Sequence, residues 1–250
     1  MVGTGYLFTP VEDPDALRAA LAARAERLGL LGTVLVAEEG VNLSVHGTAE
    51  ALDEFEAALR GEPGFERFVL NRSDDFGLQP FGRLKVQRRE EIVTLGRSDE
   101  PLDHGGAKRV PPEAWSAQLD DAAVTVIDLR NDYEVAAGTF PGAVDPGTTG
   151  FREFPAWAET HLPDKDAPVA MFCTGGIRCA KAAAWMRGAG WTDVRELEGG
   201  ILAYLASVDE EASRWRGECF VFDERVSLAP GLRRGELELG PDGKREMGDT

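Results

Sequence analysis

A chain of 250 residues with 27 Lys and Arg against 44 Asp and Glu, a net charge of −17, is long enough for two modest domains with separate cores. Its acidity argues against whole-molecule attraction to nucleic acid, so any RNA site has to be a local basic patch. No run approaches the roughly 18 apolar residues of a membrane span, and MVGTGYLFTP lacks the basic-then-apolar pattern of a secretory signal, which predicts a cytoplasmic protein that makes no use of membranes.

From the N-terminus, Tyr6 to Thr9 reads as a strand, followed by a helix with Asp13 as N-cap, Pro14 at its first position, and Leu17, Leu21 and Leu28 on one face. Thr33 to Ala37 and Val41 to Val45 flank a turn and predict an antiparallel pair. A second helix carries Leu52, Phe55 and Leu59, and Phe65 to Leu70 and Leu84 to Leu95 are expected to supply closing strands. The order β-α-β-β-α-β predicts an α+β, ferredoxin-like domain over residues 1–96. RSDEPLDHGGAKRVPP is polar and rich in Gly and Pro, as a linker over residues 97–111 would be.

Residues 112–207 then alternate strands and helices: Val124 to Leu129, a helical stretch around Trp157, Val169 to Phe172, Ile177 to Gly188, Val194 to Leu197, and a helix from Ile201. That alternation predicts an α/β domain, a parallel sheet flanked by helices, with its site at the carboxyl ends of the strands. Residues 208–250 form a charged C-terminal extension whose last dozen positions read as a tail.

Three cysteines, Cys173, Cys179 and Cys219, are too few and too unevenly placed for a disulfide framework and fit a reducing compartment. VAMFCTGGIRC places Cys173 at the end of a buried strand, with Thr174, Gly175 and Gly176 before a helix that opens on Ile177 and Arg178. The glycines permit left-handed backbone, so that consecutive N–H groups can curl around an anion. The helix N-terminus adds about 0.3 to 1 kcal/mol for a negative charge. Arg178 closes the loop with a permanent cation. Together these features favour a thiolate at Cys173 and can hold a persulfide anion. A cysteine that merely packs would leave the glycines and the arginine without a use. Cys179, about a turn further on, can resolve an oxidised Cys173, accept its sulfur, or simply pack under the helix.

Four residues separate Cys173 from Arg178, one fewer than in phosphatase loops, which gives the smaller cradle of rhodaneses. VIDLRNDYEVAAGTFPGA resembles the rhodanese opening, with Asp128 and Arg130 as structural partners near the loop. The run from CTGGIRC through LEGGILAYL to GECFVFDERVS resembles the rhodanese-containing tRNA uridine-34 hydroxylases of bacteria, and VAEEGVNLSVHGT and RLKVQRREEIVTLG agree with that family's N-terminal part. The resemblance spans about residues 5 to 228. It implies a rhodanese domain and O2-dependent conversion of the wobble uridine of tRNA to 5-hydroxyuridine. It also implies a persulfide at Cys173 and the anticodon region of tRNA as partner. Longer members continue into a cysteine-rich tail, whereas this chain has only Cys219 there, so no zinc site is expected. A rhodanese-type sulfurtransferase or persulfide carrier is the alternative reading of the same loop, and a non-catalytic rhodanese module is the third.

His46, His104 and His161 are scattered, and none lies two residues from a carboxylate as in iron oxygenases; a dinucleotide-binding glycine fingerprint is absent as well. No cofactor and no metal are therefore expected, with O2 as co-substrate. For RNA, a strand through RLKVQRRE would put Arg83, Lys85, Gln87 and Arg89 on one face, with Leu84 and Val86 toward the core. Such a row can track phosphates or serve as a charged edge that discourages aggregation. Lys181, Arg187 and Arg195 extend the patch if exposed, and Phe140, Phe151, Phe154 and Trp157 are aromatic candidates for stacking a base, core packing being the expected fate of most.

Overall fold

Strand and helix alternation in the first ninety residues builds a sheet that buries one face under two helices. In the computed structural model, which describes residues 1–97, 107–239 and 245–246, the chain divides into two units: residues 1–93 with 223–225, and the remainder. The first contains β1 (Val2–Phe8), α1 (Pro14–Arg27), β2 (Leu31–Ala37), β3 (Gly40–His46), α2 (Ala49–Arg60), β4 (Asn71–Ser73) and β5 (Leu84–Arg88). The sheet order is β4-β1-β3-β2-β5, antiparallel throughout except for the parallel pair of β2 and β5. Asp13 caps α1 by accepting from the Ala16 N–H at 2.9 Å, and Thr48 caps α2 by accepting from Ala51 at 3.2 Å. Leu17 and Leu21 of α1 and Leu52, Phe55 and Leu59 of α2 pack with Val34, Val36, Leu43 and Val45 in one core.

Two expected strands differ. Phe65 to Leu70 forms successive turns, with Phe65 N–H donating to the Glu62 carbonyl at 3.0 Å and Phe68 N–H to the Phe65 carbonyl at 2.9 Å. Phe65 and Phe68, three apart, are thereby both buried, which a strand with only one face on the core cannot do; the closing strand is the short β4 that follows. β5 stops at Arg88 rather than reaching Leu95. Its partner β2 ends at Ala37 and turns, which leaves the later residues without a ladder.

The second unit contains β6 (Lys108–Val110), α3 (Ser116–Asp120), β7 (Thr125–Asp128), α4 (Asp132–Val135), β8 (Gly138–Thr139), α5 (Phe154–His161), β9 (Val169–Phe172), α6 (Ile177–Gly188), β10 (Val194–Leu197) and α7 (Gly200–Ser207). Its sheet is parallel in the order β6-β10-β9-β7. All four residues of β9 are buried, as a central strand covered on both faces requires. Phe140 gathers Phe172, Tyr204 and Trp215 around it at ring-centroid distances of 4.9, 4.8 and 5.0 Å.

β6 lies within the stretch expected as linker; residues 98–106 of that stretch, with His104, lie outside the described residues, as does most of the expected tail. The extension beyond Ser207 contributes β11 (Arg216–Gly217) against β8, and β12 (Cys219–Phe220), β13 (Ser227–Ala229) and β14 (Arg233–Arg234) as a small sheet. Trp215, Cys219 and Leu228 from it are buried. Among the described residues no helix is long and apolar enough to cross a membrane.

Candidate active site

Cys173 follows β9 directly, and its side chain is buried. Gly176, the N-cap of α6, has φ +93°, a conformation that a side chain would strain. The turn aims the Gly176 N–H at the sulfur, which accepts from it at 3.2 Å. Only one of the two loop glycines adopts this conformation. Gly175 does not have a left-handed backbone, and a Cβ there meets open space, so the expectation that both glycines are needed for curling fails for Gly175.

The back of the loop is held by α7. Ile201 N–H donates to the Cys173 carbonyl at 2.9 Å and Leu202 N–H to the Thr174 carbonyl at 3.0 Å. Gly200 is left-handed at φ +67°, and a Cβ on it would lie 2.5 Å from the Cys173 carbonyl oxygen. In the Leu-Glu-Gly-Gly-Ile turn, Gly200 is thus where two backbones meet, while Gly199 is left-handed at φ +68°.

Burial opposes ionisation of Cys173. Hydrogen bonds from the Cys179 thiol and from the Cys179 and Arg178 N–H groups, with the Arg178 charge, outweigh it and bring the pKa down to about 7. The other thiols move the opposite way. Burial, together with the bond it donates to Cys173, pushes Cys179 well above the ordinary range. Burial also pushes Cys219 up to about 12, against the pull of Arg130. One thiol of three is therefore poised as a nucleophile near neutral pH, and Cys179 touches it as a hydrogen-bond donor.

A buried charge network frames the loop. Arg130 binds Asp128 bidentately, Nε to Oδ1 at 2.9 Å and Nη2 to Oδ2 at 2.6 Å, and its Nη1 donates to the Glu134 carbonyl at 3.1 Å. The Glu134 carboxylate in turn accepts from Arg178 Nη2 at 2.9 Å, and its other oxygen accepts from Thr174 Oγ1 at 3.4 Å. Arg178 Nη1 also donates to the Leu129 carbonyl at 3.4 Å. Asp128 and Arg130 therefore shape the turn that carries Glu134, and Glu134 fixes the guanidinium beside Cys173. The sequence reading missed Glu134. Its signal was the Asn-x-x-Glu spacing of a capping box, in which Asn131 N–H donates to Glu134 Oε2 at 3.1 Å.

In the N-terminal unit, Arg83, Lys85 and Arg89 are exposed along β5, with Leu84 and Val86 packed against the core. Arg89 donates to Gln87 Oε1 at 2.8 Å, and the row borders an open groove with Thr33 and Leu35. The three cations of the second unit expected to extend it do not form a free surface patch. Lys181 is fully buried in α6, Arg195 pairs with Asp193 at 2.6 Å, and Arg187 donates to the Thr192 carbonyl at 3.5 Å. Phe140, Phe151 and Phe154 are core residues, and Trp157 stacks on His161. His46 pairs with Asp75 at 2.8 Å in the other unit. Among the described residues no cluster of three or more His, Cys, Asp and Glu is arranged to hold a metal ion.

Comparison with known proteins covers both units. Residues 1–92 match the UPF0176 acylphosphatase like domain and residues 111–207 the Rhodanese-like domain. A tRNA uridine(34) hydroxylase of Deinococcus radiodurans is 49% identical over 94% of this chain and 77% of its own length. Proteins of the same name from Mesorhizobium japonicum (48% identical, 94% and 76% covered) and Parasynechococcus marenigrum (46% identical, 96% and 78% covered) match as extensively. With both domains matched and near-half identity over almost its whole length, the chain belongs to the tRNA uridine(34) hydroxylase family.

Proposed function

We propose that this enzyme hydroxylates the uridine at position 34 of tRNA to 5-hydroxyuridine with no resident cofactor and a persulfide on Cys173 as the working group, one atom of O2 entering the base and the other leaving as water with two electrons and two protons from an external thiol-class reductant. The observation that carries the reading is the cradle itself: a buried sulfur receiving N–H donors from the loop, in a chain whose family relatives bear that activity in their names. A cradle that stabilises a thiolate stabilises a persulfide anion in the same way, since both place one negative charge at the loop's centre. The exposed row of Arg83, Lys85 and Arg89 supplies a phosphate-tracking edge for the anticodon arm on an otherwise acidic molecule. The cytoplasm, where tRNA and reduced thiols coexist, is its assigned location.

The same loop also supports sulfur transfer between thiol donors, and one experiment separates the two activities. Purified protein is incubated with a sulfane-sulfur donor, a thiol reductant and unmodified tRNA in air and under anoxia, and nucleosides and anticodon fragments are analysed by mass spectrometry, with thiosulfate-to-thiol transfer measured in parallel. Aerobic formation of 5-hydroxyuridine at position 34, absent under anoxia, is expected. Efficient sulfur transfer with no hydroxylated nucleoside in either atmosphere would overturn the proposal in favour of a sulfurtransferase.

A further inference from the structure

Large apolar side chains that remain exposed beside a reactive group mark a contact surface more often than isolated ones do. Phe222 is 59% exposed and Tyr133 41% exposed, and both belong to the unit that holds Cys173. They are joined through Phe220, whose ring centroid lies 5.6 Å from that of Tyr133 and 5.2 Å from that of Phe222, both contacts edge-to-face.

The local sequence explains the arrangement. In CFVF the burial alternates: Cys219 and Val221 are buried, Phe220 is half-buried and Phe222 exposed, an alternation that begins in β12 and continues just past its end. Tyr133 sits one residue before Glu134 in α4, with its hydroxyl accepting from Asn131 Nδ2 at 3.3 Å. The aromatic edge is tied to the thiol loop by one side chain. The Arg178 guanidinium lies 5.8 Å from the Phe222 ring centroid, and the same group pairs with Glu134 and lowers the Cys173 pKa.

We infer that Tyr133, Phe220 and Phe222 form the platform on which the unpaired target nucleobase of tRNA stacks, next to Arg178 and the sulfur of Cys173. This rests on the proposed hydroxylation of tRNA. An unpaired base offers a π-face to each exposed ring and carbonyl oxygens to the guanidinium, so aromatic rings with an adjacent Arg match its chemistry. A hydrocarbon lipid chain would use the rings alone, whereas a base also brings acceptors to the N–H groups of Arg178 that Glu134 and the Leu129 carbonyl do not occupy. The four phenylalanine and tryptophan candidates taken from sequence cannot serve as the exposed face: three are buried in the core and Trp157 is engaged with His161.

The test compares wild type with Phe222→Ala, Phe222→Leu, Phe222→Tyr and Tyr133→Ala in full-length protein. One readout is 5-hydroxyuridine formation under kcat/KM conditions. The other is independent of chemistry: fluorescence quenching of pyrrolocytidine placed at position 34 of an anticodon stem-loop RNA. Both Ala variants and Phe222→Leu are expected to lose roughly 5- to 150-fold in kcat/KM, the range for removing one base–aromatic stack, and to lose the quench. Phe222→Tyr retains both. The Leu variant keeps an apolar side chain at an exposed position, so loss there with an unchanged unfolding midpoint separates stacking from folding. Wild-type quenching that all variants preserve, or no quenching in wild type, overturns the inference. Quenching lost in the Ala variants while wild type makes no 5-hydroxyuridine supports the platform and overturns the hydroxylase proposal instead.

Discussion

The chain holds two sets of basic residues of opposite design. Arg130 is buried and Arg178 half-buried in the rhodanese unit, each pinned by a carboxylate and by at least one backbone carbonyl. Arg83, Lys85 and Arg89 stand in solvent along β5 of the N-terminal unit. A buried cation without its partner is a severe cost, so the first set can exist only in one geometry, and that rigidity places a positive charge beside Cys173. An exposed cation gains about 0 to 1 kcal/mol from a neighbouring anion, so the second set remains available to a polyanion. A net charge of −17 is therefore compatible with both a stabilised thiolate and an RNA contact, because charge acts where it is placed and not as a sum.

Substitutions can break this contrast, and the largest effect is expected in the buried frame. Arg130→Met leaves Asp128 buried without its cation and should cost about 3–5 kcal/mol of stability, read from urea unfolding. Wild-type stability in that variant would mean that the pair contributes nothing. Arg178→Lys keeps the charge but not the fork that reaches Glu134 and the Leu129 carbonyl together. Loss of a charge-assisted bond of about 1.5–3 kcal/mol predicts a fall in kcat/KM of roughly tenfold or more, whereas full activity would show that a point charge suffices.

A pH titration sharpens the account of the loop. With the Cys173 pKa lowered to about 7, its thiolate and hence its iodoacetamide alkylation rate should rise with pH through a midpoint near 7 and be lost as pH falls below it. A midpoint at the ordinary cysteine value would remove the electrostatic argument. The smallest effect on fold and thiol belongs to the exposed row. Reversing Arg83, Lys85 and Arg89 together to Glu should leave stability within about 0.5 kcal/mol and the alkylation rate unchanged, while tRNA affinity drops and loses part of its salt dependence. Unaltered tRNA binding would reduce the row to a charged edge.

What was legible in the sequence was what short range encodes. Cys173, Gly176, Ile177 and Arg178 lie within one strand-turn-helix, so their cradle follows from local backbone geometry. The strands whose residues alternate cleanly, β2 and β3, were readable as well. Phe65 to Leu70 was misread because a hydrophobic cluster spaced by three resembles a buried strand until the turns are seen. Glu134 and Gly200 act across the fold, one on Arg178 and the other against the Cys173 carbonyl; the capping-box spacing marks Glu134 locally but does not announce its meeting with Arg178. Lys181 reads as a surface cation on a helix, but α6 is packed almost all round, and its face carries Lys181 inward. The exposure of Phe222 is likewise a tertiary fact, since a phenylalanine between valine and aspartate is ordinarily assigned to a core.

The central claim is that Cys173, in a frame that folds without it, is the reactive group of a tRNA uridine hydroxylase. Its most direct test expresses wild type and Cys173→Ala in a strain lacking the activity and measures position-34 nucleosides by mass spectrometry, alongside the intact mass and unfolding midpoint of each purified protein. The account predicts 5-hydroxyuridine and a fraction carrying one extra sulfur atom for wild type. Cys173→Ala should show neither, at a similar unfolding midpoint, because the change removes the thiol and little packing volume. Wild-type levels of 5-hydroxyuridine from Cys173→Ala would contradict it.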